Sequence, residues 1–169
     1  MQNYSFIQKF LHDFVLGKKI INKTLFEIEK KIYLRNKDLI NKSHIFITGL
    51  PRSGTTSLLN FLYSSNQYAS LTYRNMPFAL SPNFSKLLNK ENILQKERIH
   101  GDGILYDINS PEALDEIFFN NKEEFLKKEL LNYIQLILIS QNKIKYLSKN
   151  NLNYKRIDLI QSILPNSLF

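Results

Sequence analysis

Residues 44–62 constrain the fold of this chain more than any other stretch. The β-branched run from Ile45 to Thr48 predicts a strand, and the apolar spacing after position 54 predicts a helix. Gly49 and Gly54 bound the loop between them, because glycine tolerates positive φ and lets a backbone approach closely. N–H groups at such a helix start have no intrahelical partner and carry partial positive charge. The sequence therefore predicts an anion site suited to a phosphate-like group.

The loop differs from the pattern of nucleotide triphosphatases, in which a lysine follows the second glycine. Thr55 stands in place of that lysine, and Arg52 lies inside the loop instead. A guanidinium is a planar fork that matches the edge of a phosphate or phosphosulfate group. We predict that six consecutive residues form the anion site, with the two threonines as hydroxyl donors: Pro51, Arg52, Ser53, Gly54, Thr55 and Thr56.

The run from Pro51 to Thr56 resembles the 5′-phosphosulfate-binding loop of sulfotransferases that use 3′-phosphoadenosine 5′-phosphosulfate (PAPS). It is most similar to the branch that includes tyrosylprotein sulfotransferases and many bacterial sulfotransferases, where the loop carries arginine in place of lysine. The resemblance implies an α/β fold with a three-layer parallel sheet of the P-loop NTPase-like type. It also implies transfer of a sulfuryl group from PAPS to a hydroxyl or amine on a small molecule, glycan or lipid. Two alternatives stay open: a nucleotide kinase or NTPase, and a non-catalytic anion-binding remnant.

Lys149 is the second cation that the resemblance assigns to catalysis, together with Arg52. It follows a predicted strand at residues 144–148, and a lysine in this place contacts the bridging or sulfuryl oxygens in the family. A fixed ammonium there opposes the negative charge that develops on the leaving phosphate oxygen. The alternative interpretation is a surface lysine after a strand.

At Asn75 the sequence departs from the family pattern that would supply a general base. Similar bacterial sequences carry aspartate there, near the place of a glutamate base in the tyrosylprotein enzymes, and an amide cannot accept the proton. Histidine and carboxylates are the usual bases for a hydroxyl proton. We therefore predict His100 as the base, followed by Asp102 and Glu97; a solvated loop of paired charges is the alternative.

Hydrophobic periodicity and turn residues predict the remaining elements. A short strand at 70–73 is expected beside the first strand, and a helix is expected to begin at Ser110, Pro111 and Glu112, with Glu112 structural rather than catalytic. The other predicted helices cover residues 3–16, 20–36, 122–142 and 153–164.

We predict two regions, N-terminal helices at 1–43 that pack on the domain and a sulfotransferase-like portion at 44–169. Residues 164–169 are expected to lead into another buried strand. In the family, the segment that binds the 3′-phosphate follows that strand, so the resemblance implies a domain truncated at its C-terminus. A partner that covers the exposed sheet edge is then expected.

Composition narrows the classes of partner. The net charge is +8, but the basic residues form no dense tract, which favours an anionic nucleotide cofactor over nucleic acid. The chain has no cysteine, and its three histidines, His12, His44 and His100, are scattered, so no metal site is predicted. No apolar run approaches the roughly 18 residues of a membrane span, and we expect a cytoplasmic protein.

Overall fold

The computed structural model describes residues 19–34, 42–88, 96–97 and 105–169. This part of the chain contains both helices and strands. In chain order they are α1 (Lys19–Tyr33), β1 (Ile45–Ile47), α2 (Thr55–Ser64), β2 (Tyr68–Ala69), a 3-10 helix (Tyr73–Phe78), α3 (Pro82–Leu88), β3 (Lys96–Glu97), β4 (Leu105–Tyr106), α4 (Glu116–Phe119), α5 (Glu123–Gln141), β5 (Lys145–Lys149), a second 3-10 helix (Asn153–Arg156) and α6 (Ile157–Ile163). The predicted helix at 3–16 lies outside the described residues.

Strand β5 is the centre of a three-stranded parallel sheet with the order β1-β5-β2. The prediction of a strand at 70–73 beside β1 was wrong in both position and neighbour, because β2 is Tyr68–Ala69 and pairs with β5. The physical reason lies in burial. Tyr146, Leu147 and Ser148 are all 0% exposed, and a strand buried on both faces belongs in the middle of a parallel sheet.

Alternating residues of the sheet pack against helices on opposite faces. Ile47 of β1 and Leu147 of β5 form a buried cluster with Leu59 of α2. Phe46 and Tyr146 face the other way, into a larger core to which α5 contributes most. A small parallel sheet with helices on both faces is an α/β arrangement, as expected.

Helix α5 confirms the helix predicted at 122–142, and its apolar stripe is buried as predicted. On its outer side lies α1, which buries Phe26 in the core and makes charged contacts with α5 and α3. Lys30 pairs with Glu129 at 2.7 Å, and the carboxylate of Glu29 accepts from the backbone N–H of Asn83 at 3.0 Å and its side-chain amide at 2.7 Å. Burial raises the pKa of Glu29, although these hydrogen bonds oppose the rise.

The helix predicted to begin at Ser110 begins only at Glu116. The carbonyl oxygen of Ser110 accepts from the backbone N–H of Tyr73 at 3.2 Å. The backbone N–H of Glu112 donates to Leu71 O at 2.9 Å. These long-range backbone hydrogen bonds hold the segment extended. Tertiary pairing therefore prevents the helix that the local capping residues predict. The Glu112 carboxylate accepts from the Tyr73 hydroxyl at 2.6 Å, which agrees with a structural role.

Other predicted bounds shift slightly. The helix predicted at 20–36 ends at Tyr33, and the one predicted at 153–164 opens with a 3-10 turn before α6. The strand predicted at 144–148 is confirmed one residue later. Among the helices of the described ranges, none is long and apolar enough to cross a membrane.

The far edge of β1, opposite β5, is met by Leu168. Its N–H donates to His44 O at 2.8 Å, and its carbonyl accepts from Phe46 N at 2.9 Å. This parallel bridge agrees with the expected strand after residue 164, although it comprises one pair of residues. Apolar side chains stay exposed on α2, where Leu58 is 47% and Phe61 is 72% exposed.

Candidate functional site

The loop after β1 is shaped by a tight turn from Leu50 to Ser53. Leu50 O accepts from the N–H of Ser53 at 3.2 Å and from its hydroxyl at 2.7 Å. Pro51 fits the second position of this turn, and Arg52, with φ of 69°, takes the third. Positive φ at the third position is the mark of a type II turn, in which glycine or asparagine normally stands.

The backbone of Arg52 is therefore strained. The two other non-glycine residues with positive φ in the described ranges are asparagines, which tolerate this conformation. For other side chains it costs about 1–2 kcal/mol, and such strain concentrates at functional sites. The sequence predicted positive φ for the loop glycines and gave no sign of it at Arg52. The result is an exposed guanidinium on a turn that two hydrogen bonds hold in place.

The two loop glycines serve different purposes. Gly54 has φ of 81° and needs the conformational freedom of glycine. Gly49 is required for space, since a Cβ there would lie 2.8 Å from both Ser53 Oγ and Thr55 Cγ2. The missing side chain at Gly49 leaves room for the side chains of Ser53 and Thr55.

Helix α2 begins at this loop without a side-chain cap. Gly54 is the N-cap residue, and the first helical bond runs from Leu58 N to Gly54 O at 3.0 Å. Within the described part of the chain, the N–H groups of residues 55–57 have no hydrogen-bond acceptor, and the hydroxyls of Thr55 and Thr56 have no partner. Donors and helix dipole together favour an anion at this place.

Lys149 ends β5 beside the same loop. It pairs in register with Ile47, two residues before Gly49. Because side chains alternate along a strand, Lys149 shares a face with Leu147, which packs against α2. Its side chain is half-buried, and it has no hydrogen bond or ion pair among the described residues. The fold thus places a second cation on the α2 side of the sheet.

The turn after Lys149 is fastened to the end of β1. Ile47 O accepts from the N–H of Asn150 at 3.1 Å and from the side-chain amide of Asn153 at 3.0 Å. The hydroxyl of Thr48 accepts from Tyr154 N at 3.2 Å. The sequence predictions missed Thr48 and Asn153. The available signal was the run of asparagines after the strand, since asparagine side chains readily bond backbone groups.

The comparisons with known proteins identify a family. Residues 44–169 match the model of the sulfotransferase family, and the match covers well over half of the chain. The chain belongs to the sulfotransferase family. No curated protein and no solved structure matches it. Family membership means that sulfuryl transfer is the chemistry to expect, and it confirms the resemblance to sulfotransferases, while the branch of the family stays a prediction.

Only part of the predicted base cluster of this sulfotransferase can be placed. His100 and Asp102 lie outside the described residues, so their role stays a prediction. Glu97 lies in β3, which pairs antiparallel with β4. No group of three histidine, cysteine, aspartate or glutamate side chains that could hold a metal ion occurs where the structure describes the chain.

In this sulfotransferase, Asn75 has a structural role. Its Oδ1 accepts from the N–H of Thr72 at 2.9 Å and caps the 3-10 helix, and its amide donates to Ser85 Oγ at 2.8 Å. Asn75 is 4% exposed and borders a cavity of about 140 Å³, to which Arg74 and Lys86 also contribute. An amide fits this place because it both accepts and donates, which a carboxylate base would not do.

Proposed function

We propose that this chain binds PAPS and transfers its sulfuryl group to a hydroxyl or amine acceptor. The observation that carries the proposal is the meeting of two features at the carboxyl edge of neighbouring strands. The glycine-bounded loop follows β1, and Lys149 ends β5 in register with Ile47. Ligands of open α/β sheets bind at this edge. We further propose that the sheet and loop form a domain of the P-loop NTPase-like type.

The residues present fit a 5′-phosphosulfate. The absence of a Cβ at Gly49 lets the side chains of Ser53 and Thr55 pack against the loop, and the uncapped start of α2 offers N–H donors. Arg52 adds a guanidinium, and Thr55 and Thr56 add hydroxyls that have no other partner in the described ranges. The site therefore supplies positive charge and donors, which an anionic cofactor requires.

Each residue has a distinct part in the proposed reaction. PAPS supplies an activated sulfuryl group whose leaving group is a phosphate. Arg52 and the N–H groups of residues 54–56 hold and orient that end of the donor, whereas the N–H of Ser53, also predicted for this role, is bonded to Leu50 O. Lys149 opposes the negative charge that grows on the phosphate oxygen as its bond to sulfur breaks. The acceptor proton passes to His100 or Asp102 as the acceptor oxygen or nitrogen bonds to sulfur.

The first test is calorimetric titration of the purified chain with adenosine 3′,5′-bisphosphate, the inert product of PAPS. We expect saturable binding that Arg52→Gly weakens by at least about tenfold, because hydrogen bonds between charged groups are the strong ones. Glycine is the informative replacement, since it removes the guanidinium and also relieves the strain at φ of 69°. Arg52→Lys serves as the matched variant, because it keeps the charge and loses the fork.

ATP is the control ligand in the same titration. ATP binding equal to that of the bisphosphate, accompanied by Mg²⁺-dependent hydrolysis, would overturn the proposal in favour of a kinase or NTPase. Bisphosphate binding without sulfation of any acceptor would favour a non-catalytic remnant. A folded chain that binds neither nucleotide would contradict the proposed donor outright.

The second test concerns Gly49. Gly49→Ala is expected to weaken bisphosphate binding by about tenfold or more, since its methyl group would displace Ser53 and Thr55 and distort the loop. Titration calorimetry measures the loss. The matched control is Ser53→Ala, which removes one of the two bonds to Leu50 O and adds no atom at Gly49. Equal affinity of Gly49→Ala and the original chain would show that the close packing at Gly49 does not shape the binding site.

A further inference from the structure

Behind the central strand, on the side away from α2, lies a buried carboxylate. Asp115 is 2% exposed, and three hydroxyl groups from two elements donate to it. Tyr133 of α5 donates to Oδ1 at 2.8 Å, Tyr146 of β5 donates to Oδ1 at 2.6 Å, and Ser148 of β5 donates to Oδ2 at 2.7 Å. Both carboxylate oxygens are thus occupied, and two of the three donors belong to β5.

Its neighbour Glu116 continues the same pattern past the end of the strand. Asn150 donates its side-chain amide to Glu116 Oε2 at 2.6 Å, and Arg156 donates to the same carboxylate at 2.9 and 3.0 Å. The Arg156 guanidinium also lies 4.5 Å from the ring centre of Phe119. These contacts leave Arg156 largely buried, with 13% of its side chain exposed.

The contacted residues have a regular spacing. Side chains alternate between the two faces of a strand. The side chains of Tyr146 and Ser148, and of Asn150 just after β5, therefore lie on the face opposite to that of Lys149. The acidic pair at 115–116 therefore contacts every second residue on the rear of β5 and of the turn that follows it. The strand end that carries Lys149 is bound from behind at three successive positions.

Holding a strand with a buried carboxylate costs desolvation free energy. Burial raises the pKa of Asp115, although the hydroxyls of Tyr146, Ser148 and Tyr133 and the charge of Arg156 oppose the rise. Apolar side chains of similar volume often stabilise a core as well or better. What directional hydrogen bonds add is a fixed geometry, which matters where a side chain must meet a ligand within a fraction of an ångström.

We propose that Asp115 and Glu116 are positioning residues that hold the carboxyl end of β5, and through it Lys149, against the phosphate loop. The proposal rests on the role proposed above for Lys149. The acidic pair does not touch the ligand side of the sheet. It acts through Ser148 and Asn150, the two residues that flank Lys149, so that the ammonium stays in place as charge develops on the donor.

Two tyrosines provide a chemically matched test. Tyr133→Phe and Tyr146→Phe each remove one buried hydroxyl that donates to the same oxygen of Asp115, but only Tyr146 belongs to β5. Ser148→Ala removes the third donor, next to Lys149. A role in general stability predicts similar effects from both tyrosine variants. The positioning role predicts local effects at the strand end from Tyr146→Phe and Ser148→Ala alone.

The first measurement is backbone amide exchange, which is independent of any ligand. The reporter is the N–H of Asn150, which donates to Ile47 O at 3.1 Å. We expect it to exchange about tenfold faster, relative to the amides of α5, in Ser148→Ala and Tyr146→Phe. In Tyr133→Phe the ratio is expected to stay unchanged. Equal ratios in all three variants would overturn the proposal.

The second measurement is affinity for adenosine 3′,5′-bisphosphate. Ser148→Ala is expected to weaken binding about fivefold, and to add nothing further when Lys149 is already alanine. Additive losses would show that the effect does not pass through Lys149 and would overturn that part of the proposal. Absence of binding by the unmodified chain would refute the proposed function and the Lys149 step with it. The exchange pattern alone would then decide whether the acidic pair holds the strand.

Discussion

Replacing Lys149 by alanine is expected to slow sulfuryl transfer by about 10²–10³-fold, the loss typical of removing one group that stabilises transition-state charge. The side chain ends the central strand, in register with Ile47 and close to the loop that follows it. The charge it opposes develops only as the bond to sulfur breaks, so the loss should fall on kcat more than on KM. Release of adenosine 3′,5′-bisphosphate from PAPS measures the rate, with phenols, alcohols, amines and water as acceptors.

Lys145 offers a matched control for this experiment. It is the first residue of β5 and lies on the same face as Lys149, the last residue of the strand. Its ammonium is 5.9 Å from the ring centre of Tyr68. Lys145→Ala removes the same charge from the same strand and is expected to leave turnover within about threefold of the original. Full activity in Lys149→Ala, or equal losses in both variants, would refute the assigned role.

Removing the buried carboxylate of Asp115 is expected to have the largest effect on stability. Asp115→Ala leaves three buried hydroxyls without their acceptor and opens a small cavity, so the free energy of unfolding should fall by about 3–5 kcal/mol. Asp115→Asn keeps the shape and an acceptor for the tyrosines, and should cost about 1–2 kcal/mol. Urea unfolding measures both values.

The pH dependence of stability separates the carboxylate from its shape. Because burial raises the pKa of Asp115 above its ordinary value of 3.8, the folded chain binds this proton more tightly than the unfolded chain. The contribution of Asp115 to stability is then largest below pH 3.8 and falls as pH rises through the folded pKa, by at most about 1.4 kcal/mol per pH unit for one proton. Asp115→Asn should lack this component. The raised pKa of Glu29 makes stability fall with rising pH in both proteins alike. The difference between the two pH profiles of stability therefore isolates Asp115. Parallel pH profiles would contradict the buried titration.

Local sequence patterns were sufficient for the parts of the site that depend on adjacent residues. The strand, the glycine-bounded loop and the helix start around Gly54 follow from neighbouring positions, as does the helix α5 with its apolar stripe. The strand that carries Lys149 was also predictable, because a short β-rich run is a local feature.

Long-range pairing was not predictable in the same way. The insertion of β5 between β1 and β2 depends on partners about a hundred residues away, and the extended segment around Ser110 depends on Tyr73. The burial of Asp115 was also unpredictable, since an acidic residue in a sequence predicts exposure to solvent. Only the three-dimensional arrangement brings the hydroxyls of Tyr133, Tyr146 and Ser148 to it.

The central position of β5 has a consequence for the order of events on the ribosome. The loop after β1 leaves the ribosome early, but the strand that lies beside it follows about a hundred residues later, since Ile45 pairs with Leu147. At about 5–20 residues per second, the nascent chain waits roughly 5–20 s before that pairing can form. During this interval β1 and β2 have no common neighbour, and the apolar residues destined for both faces of β5 stay uncovered. The loop after β1 and Lys149 therefore come together only when β5 has been made, in the same step that covers both faces of β5.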